Sequence, residues 1–277
     1  TSNFVLPSLI VLGEGAGGPS VLPSVPKATF AVTKIEDTND GTCSVMDCSL
    51  REAIVASNAA AGADSITLPA GTYTLTIANT GGVNEDESTQ GDLDVKGALA
   101  ITGAGLGSTI IQGGTQGGTN ADGIDKVLAF SPFCTAINMS LSDVTVRFGR
   151  NSQPRPNLLN DFSWTGGGID VCNASAGTFA MNNVLVGQNT NLNSYGGGIN
   201  LDSVAPASGN YTITGSTISG NRTTSSADTV KSGGGVMLQG DTVNVTITNS
   251  TVSFNISASE GGGVFASHVN GGAILIQ

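Results

Sequence analysis

"GGGVMLQGDTVNVTITNSTVSFNISASEGGGVF" occupies residues 233–265 and closes on the motif with which it opens, three glycines followed by an apolar residue. Such triplets begin at Gly166, Gly196, Gly233 and Gly261, at intervals of 30, 37 and 28 residues. Between them a second motif recurs. "FAMNNVLVGQN" (179–189), "YTITGSTISGN" (211–221) and "VTITNSTVSFN" (245–255) align without gaps. An earlier copy, "MSLSDVTVRFG" (139–149), carries Gly149 where the others carry Asn189, Asn221 and Asn255. Self-similarity at this period marks a solenoid or a propeller.

Side-chain alternation separates the two. After each triplet the apolar pairs Ile169/Val171, Ile199/Leu201, Val236/Leu238 and Val264/Ala266 flank a residue of varying character. That is period two, with one face buried. A second strand repeats the pattern with Met139/Leu141, Phe179/Met181, Tyr211/Ile213 and Val245/Ile247, and a third adds Val146, Val186, Ile218 and Val252. Three short strands per repeat, like residues at like positions, predict a three-sided parallel β-helix. Propeller blades need four longer strands and about 40–45 residues. The triplet glycines are expected at one corner, where a side chain would clash or φ must be positive. Gly149, Asn189, Asn221 and Asn255 are expected to form a turn ladder at a second corner, Asn and Gly being the residues that tolerate left-handed backbone.

One stretch reads as helix, residues 49–61. Ser49 and Glu52 form a capping-box pair, Leu50, Ala53, Ile54 and Ser57 share a face, and Gly62 ends it. A solenoid exposes its core at each end and needs a lid, which this helix supplies. Residues 28–63 are thus an amino-terminal strand and capping helix, and residues 64–277 are coils open at the carboxy-terminal end. Residues 1–27, rich in Pro, Gly and Val, are an extended linker or a segment that pairs with a partner.

"CSLREAI" (48–54), followed by "ITLPAGTYTL", "GDLDV" and "LAITGAG", resembles the CSLREA-type domain of bacterial secreted and surface proteins over residues 31–113. The later "GGGI" and "NSTVSFN" coils resemble those of polymorphic outer-membrane proteins and other pectin-lyase-like β-helices. The resemblance implies a right-handed all-β helix outside the cytoplasm. It implies no single activity, since the fold carries lyases, hydrolases, adhesins and passive stalks.

Composition narrows the partners. A net charge of -11, with only 10 basic residues, disfavours nucleic acid and anionic membrane surfaces. No apolar stretch reaches the length of a membrane span. Cys43, Cys48, Cys134 and Cys172 make an even count that fits two disulfides and an oxidising, extracellular compartment. Their spacing does not fit a zinc ribbon.

Chemistry is harder to find. Asp143, Asp161, Asp170, Asp202, Asp228 and Asp241 fall in differing alignment columns, and the lone His268 has no flanking acid. No catalytic residue is assigned. Glu85, Asp86, Asp92 and Asp94, in the loop "NEDESTQGDLDV" (84–95), are hard-oxygen candidates for calcium; a solvated acidic loop explains the same composition. No other cofactor is expected. The expected function is a non-catalytic structural or adhesive surface protein, self-associating or meeting another surface protein through the open end and residues 1–27. The alternative is a polysaccharide lyase or hydrolase, or a glycan-binding module without turnover.

Overall fold

The computed structural model describes residues 27–80, 85–153, 165–174, 176–224, 232–267 and 271–277. The segment 1–26, Asp161, Asp228 and His268 lie outside these residues.

The chain winds as a right-handed parallel β-helix whose strand pairs are all parallel. Three faces form the wall. On the first, the registered rungs Leu93, Leu128, Ile169, Ile199, Val236 and Val264 stack inward, with Val95, Phe130, Val171, Leu201, Leu238 and Ala266 beside them. On the second, Ile66, Ile101, Leu141, Met181, Ile213, Ile247 and Ile276 stack in one column. The third carries Tyr73, Ile111, Val146, Val186, Ile218 and Val252. Like apolar side chains in register fill the interior, and they form one continuous core. In the coils from residues 139 to 266 the interior columns are the ones that the alternation predicts.

The corners explain the glycines. The first glycine of each triplet has positive φ, +67° to +69° at Gly166, Gly196 and Gly233 and +60° at Gly261. The second is pressed against the next rung: a Cβ on Gly167 would lie 2.3 Å from the carbonyl oxygen of Gly197. The third meets the asparagine ladder, because a Cβ on Gly198 would lie 2.8 Å from Asn221 Nδ2. The two recurrent motifs are therefore one corner packed against another.

At the second corner, Gly149 N donates to Asn189 Oδ1 at 2.8 Å, Asn189 N to Asn221 Oδ1 at 3.0 Å, and Asn221 N to Asn255 Oδ1 at 2.9 Å. Each Nδ2 also donates to a strand carbonyl, of Val146, Val186 or Ile218. The expected left-handed backbone is displaced by one residue. Positive φ belongs to Phe148, Gln188, Gly220 and Phe254, each preceding its ladder residue. Asparagine is required here for its carboxamide, which satisfies backbone donors that the turn leaves unpaired.

The helix, α1, runs Leu50–Ala59, shorter than the expected 49–61, and Ala60 leaves it in extended conformation at φ -80°. Ser49 caps it, and the reciprocal bonds Glu52 N to Ser49 Oγ (3.1 Å) and Ser49 N to Glu52 Oε2 (2.8 Å) complete the capping box. Its buried face includes Arg51 and Glu52 besides Leu50, Ala53, Ile54 and Ser57. The strand Thr29–Ala31 pairs with residues 65–67 and adds a rung beside the lid. Cys43 is bonded to Cys48, and Cys134 to Cys172. No helix among the described residues is long and apolar enough to cross a membrane.

Candidate functional site

Strand alternation turns Asp94, Ala129, Asp170, Asn200 and Met237 to the outer side of the first face, opposite the core columns. They are nonetheless buried. Asp202, two residues beyond Asn200, is on the same side and buried as well. Asp170 and Asp202 occupy different columns, Asp170 pairing with Asn200 and Cys172 with Asp202. Their strands are nevertheless adjacent, and the charge of Asp170 helps to raise the pKa of Asp202.

Lys126 is the counter-charge. It is 1% exposed, and its Nζ lies 3.4 Å from Asp170 Oδ2. Asp170 also accepts from Thr165 Oγ1 (2.9 Å) and Asn200 Nδ2 (2.9 Å). Burial works to lower the lysine pKa, but Asp170, Asp92, Asp125 and Asp94 outweigh it and hold the ammonium charged.

The carboxyls beneath are pushed the other way. Burial above all raises Asp92, with Asp125 adding to it and Lys126 opposing. Burial and then Asp92 raise Asp94. Asp125, raised chiefly by burial, takes hydrogen bonds from Lys126 N (2.8 Å) and Asn79 Nδ2 (2.6 Å). Asp202 stands well above the usual carboxylate range through burial and the neighbouring Asp170. The arrangement therefore sets a carboxyl raised above its usual range beside one fixed by three donors.

The four acids expected to bind calcium separate into two pairs. Asp92 and Asp94 are buried beneath the loop, where Ser88 N donates to Asp94 Oδ2 at 3.2 Å. Glu85 is part-exposed and spends both oxygens on its own loop, accepting from Glu87 N and Thr89 Oγ1 on Oε2 and from Gln90 N on Oε1. Asp86 is half-buried and raises the pKa of both Asp92 and Asp94.

Another acidic group lies by the lid. Asp40, Asp47 and Glu52 present oxygens within 4.8 Å of one another. Lys34 Nζ stands among them, 3.5 Å from Asp40 Oδ2 and 3.3 Å from Glu52 Oε2 and in contact with Asp47, so an ammonium already serves as their cation.

Sequence reasoning passed over Asp125 and Lys126. The signal was an acid–lysine pair immediately before the apolar alternation of Leu128 and Phe130, outside the repeat motifs.

No protein-family model and no curated protein matches the chain. Among solved structures, a pectin methylesterase in complex with a hexasaccharide matches at 12% identity and a TM-score of 0.35, covering 86% of this chain and 68% of that one. Pectin methylesterase PemA from Erwinia chrysanthemi matches at 15% identity with the same TM-score and coverage. Similarity at this level identifies neither a substrate nor a residue.

Proposed function

We propose that the protein acts on extracellular polysaccharide, with Asp170 and Asp202 on the outer side of its first face as the acid–base pair. The carrying observation is the pair Asp170 and Asp202 on adjacent rungs. Burial, and then the charge of Asp170, raises the pKa of Asp202, which suits it to proton donation. Asp170, ringed by Lys126, Thr165 and Asn200, is oriented as the acceptor. A carboxyl raised above its usual range beside one oriented by three donors suits acid–base cleavage of a glycosidic or ester bond. Two disulfides agree with an oxidising, secreted setting. We also propose that residues 31–113 form a CSLREA-type domain, a reading supported by Arg51 and Glu52 of its motif, both buried and committed to holding the lid.

The test is incubation with acidic, neutral and methyl-esterified polysaccharides, reading new reducing ends, unsaturated ends and released methanol. Product formation abolished by Asp170→Asn and by Asp202→Asn supports the reading. Absence of every product with the wild-type protein overturns it.

A second reading, a non-catalytic structural or adhesive surface protein, is favoured by one observation. Val45 and Met46 are 89% and 86% exposed at the tip of the loop closed by Cys43–Cys48. Apolar side chains displayed on a constrained loop suit contact with another macromolecule. Light scattering and surface binding, each compared with a Val45→Ser/Met46→Ser variant, test it; unchanged behaviour excludes this contact.

A further inference from the structure

Oxygen atoms without a hydrogen-bond partner collect in the buried segment that follows the 85–90 loop. Asp92 is 1% exposed, and neither of its carboxylate oxygens has a hydrogen-bond partner. Asp94 Oδ1 and the carboxamide oxygen of Asn79 are buried and unpartnered too. Buried oxygens are almost always satisfied, so four orphans in one neighbourhood point to a ligand that is not protein.

These atoms are drawn together by the chain. The Asn79 carboxamide lies over Gly91, where a Cβ would stand 2.5 Å from its Oδ1. Gly91, at φ +63°, immediately precedes Asp92, and Asp94 follows two residues on along the same side. Asn79 Nδ2 is tied to Asp125 Oδ2 at 2.6 Å. From the other side Arg51 fixes the segment by donating to the backbone carbonyls of Ser88, Gly91 and Asp92, at 3.0, 2.9 and 3.3 Å. The oxygens are thus held in place by groups that do not themselves satisfy them.

We propose that Asp92, Asp94 and the Asn79 carboxamide oxygen bind a hard divalent cation, calcium, between the lid and the first coils. Carboxylate and amide oxygens in an irregular arrangement are the donors calcium takes. Glu85 does not belong to the ligand set, since its oxygens are engaged in the loop. The role is structural: the ion would couple the 85–92 loop to the helix above it. The proposal is independent of the polysaccharide reading.

The test is calorimetric titration of chelator-treated full chain with calcium chloride and then with magnesium chloride, beside thermal unfolding in each salt. Expected are one saturable calcium site, weaker magnesium binding and a higher unfolding midpoint with calcium. Asp92→Asn should abolish the calcium-dependent rise while raising the midpoint of the metal-free protein, because the carboxamide brings N–H donors to a site whose oxygens have none. That opposite pair of effects is not produced by simple damage to the fold. If Asp92→Asn fails to fold, Asp94→Asn reads the same comparison. Absence of both heat and midpoint shift with calcium overturns the proposal, and so does calcium binding unchanged in both variants. Magnesium binding equal to or tighter than calcium overturns the assignment to calcium.

Discussion

Arg51 and Asp37 form a bidentate ion pair, Nε to Oδ1 at 2.7 Å and Nη2 to Oδ2 at 3.1 Å, with the guanidinium wholly buried. The same carboxylate accepts the backbone N–H groups of Thr76 and Ile77, and the remaining guanidinium donors go to the 88–92 loop. One helix residue therefore ties the lid to two coil segments. Removing one partner of such a pair strands the other charge away from water. Asp37→Asn should cost about 3–5 kcal/mol, read as a lower denaturant midpoint. Arg51→Lys should not rescue Arg51→Ala fully, since an ammonium cannot make the fork contact.

The ladder gives a second expectation. Asn221 Oδ1 accepts both the backbone N–H and Nδ2 of Asn189, each at 3.0 Å, and Asn221 Nδ2 donates to Val186 O. Asn221→Ala orphans buried groups on two rungs and should cost about 2–4 kcal/mol by chemical denaturation. Asn221→Asp keeps the acceptor but buries a charge, and should be no better at neutral pH.

Glycines separate into those that must be glycine and those that need not. A Cβ on Gly197 would lie 2.4 Å from Gly234 O, between backbones that cannot withdraw. Gly197→Ala should abolish folding or lower the unfolding midpoint severely. At Gly187 φ is not positive and the nearest atom is Ser219 O at 3.4 Å, so Gly187→Ala should change stability by less than about 1 kcal/mol. Comparable losses in the two variants would contradict the corner packing described above.

Acid sensitivity should begin at the lid. Burial alone would raise Glu52, but the N–H groups of Ser49 and Asp40, the Thr38 hydroxyl and Lys34 overcome it and bring its pKa to about 2, below the ordinary 4.5. A depressed carboxylate stabilises the fold fully above its unfolded pKa, and that contribution disappears as pH falls from about 4.5 towards 2. Unfolding followed against pH should show this loss, and Glu52→Gln should flatten it while lowering stability at neutral pH.

The disulfides should differ in weight. Cys134–Cys172 spans 38 residues and Cys43–Cys48 only 5. Loop-closure entropy assigns about 4 kcal/mol to the first and about 2 kcal/mol to the second. Paired Cys→Ser variants compared by thermal unfolding check the order.

Much of this architecture lies in local pattern. Period-two alternation around Ile169, Ile199 and Val236 determined which side chains enter the core, because a strand has only two faces and one of them is dry. The recurring triplets and asparagines determined the coil, because each corner repeats one backbone demand, although the left-handed residue proved to be the neighbour of each asparagine. The capping box at Ser49 and Glu52 was legible for the same reason: its partners are three residues apart. What the repeats could not reveal was the company kept by unrepeated polar residues. Asp92, Asp125, Lys126 and Asp170 are separated by up to 78 residues, yet their charges act on one another. Their neutral appearance as surface polars and their actual burial differ because burial is set by what covers a strand, not by its own alternation. Only the winding of the coils, and the loop and lid packed on the outer side of the first face, decided that these charges would share one interior.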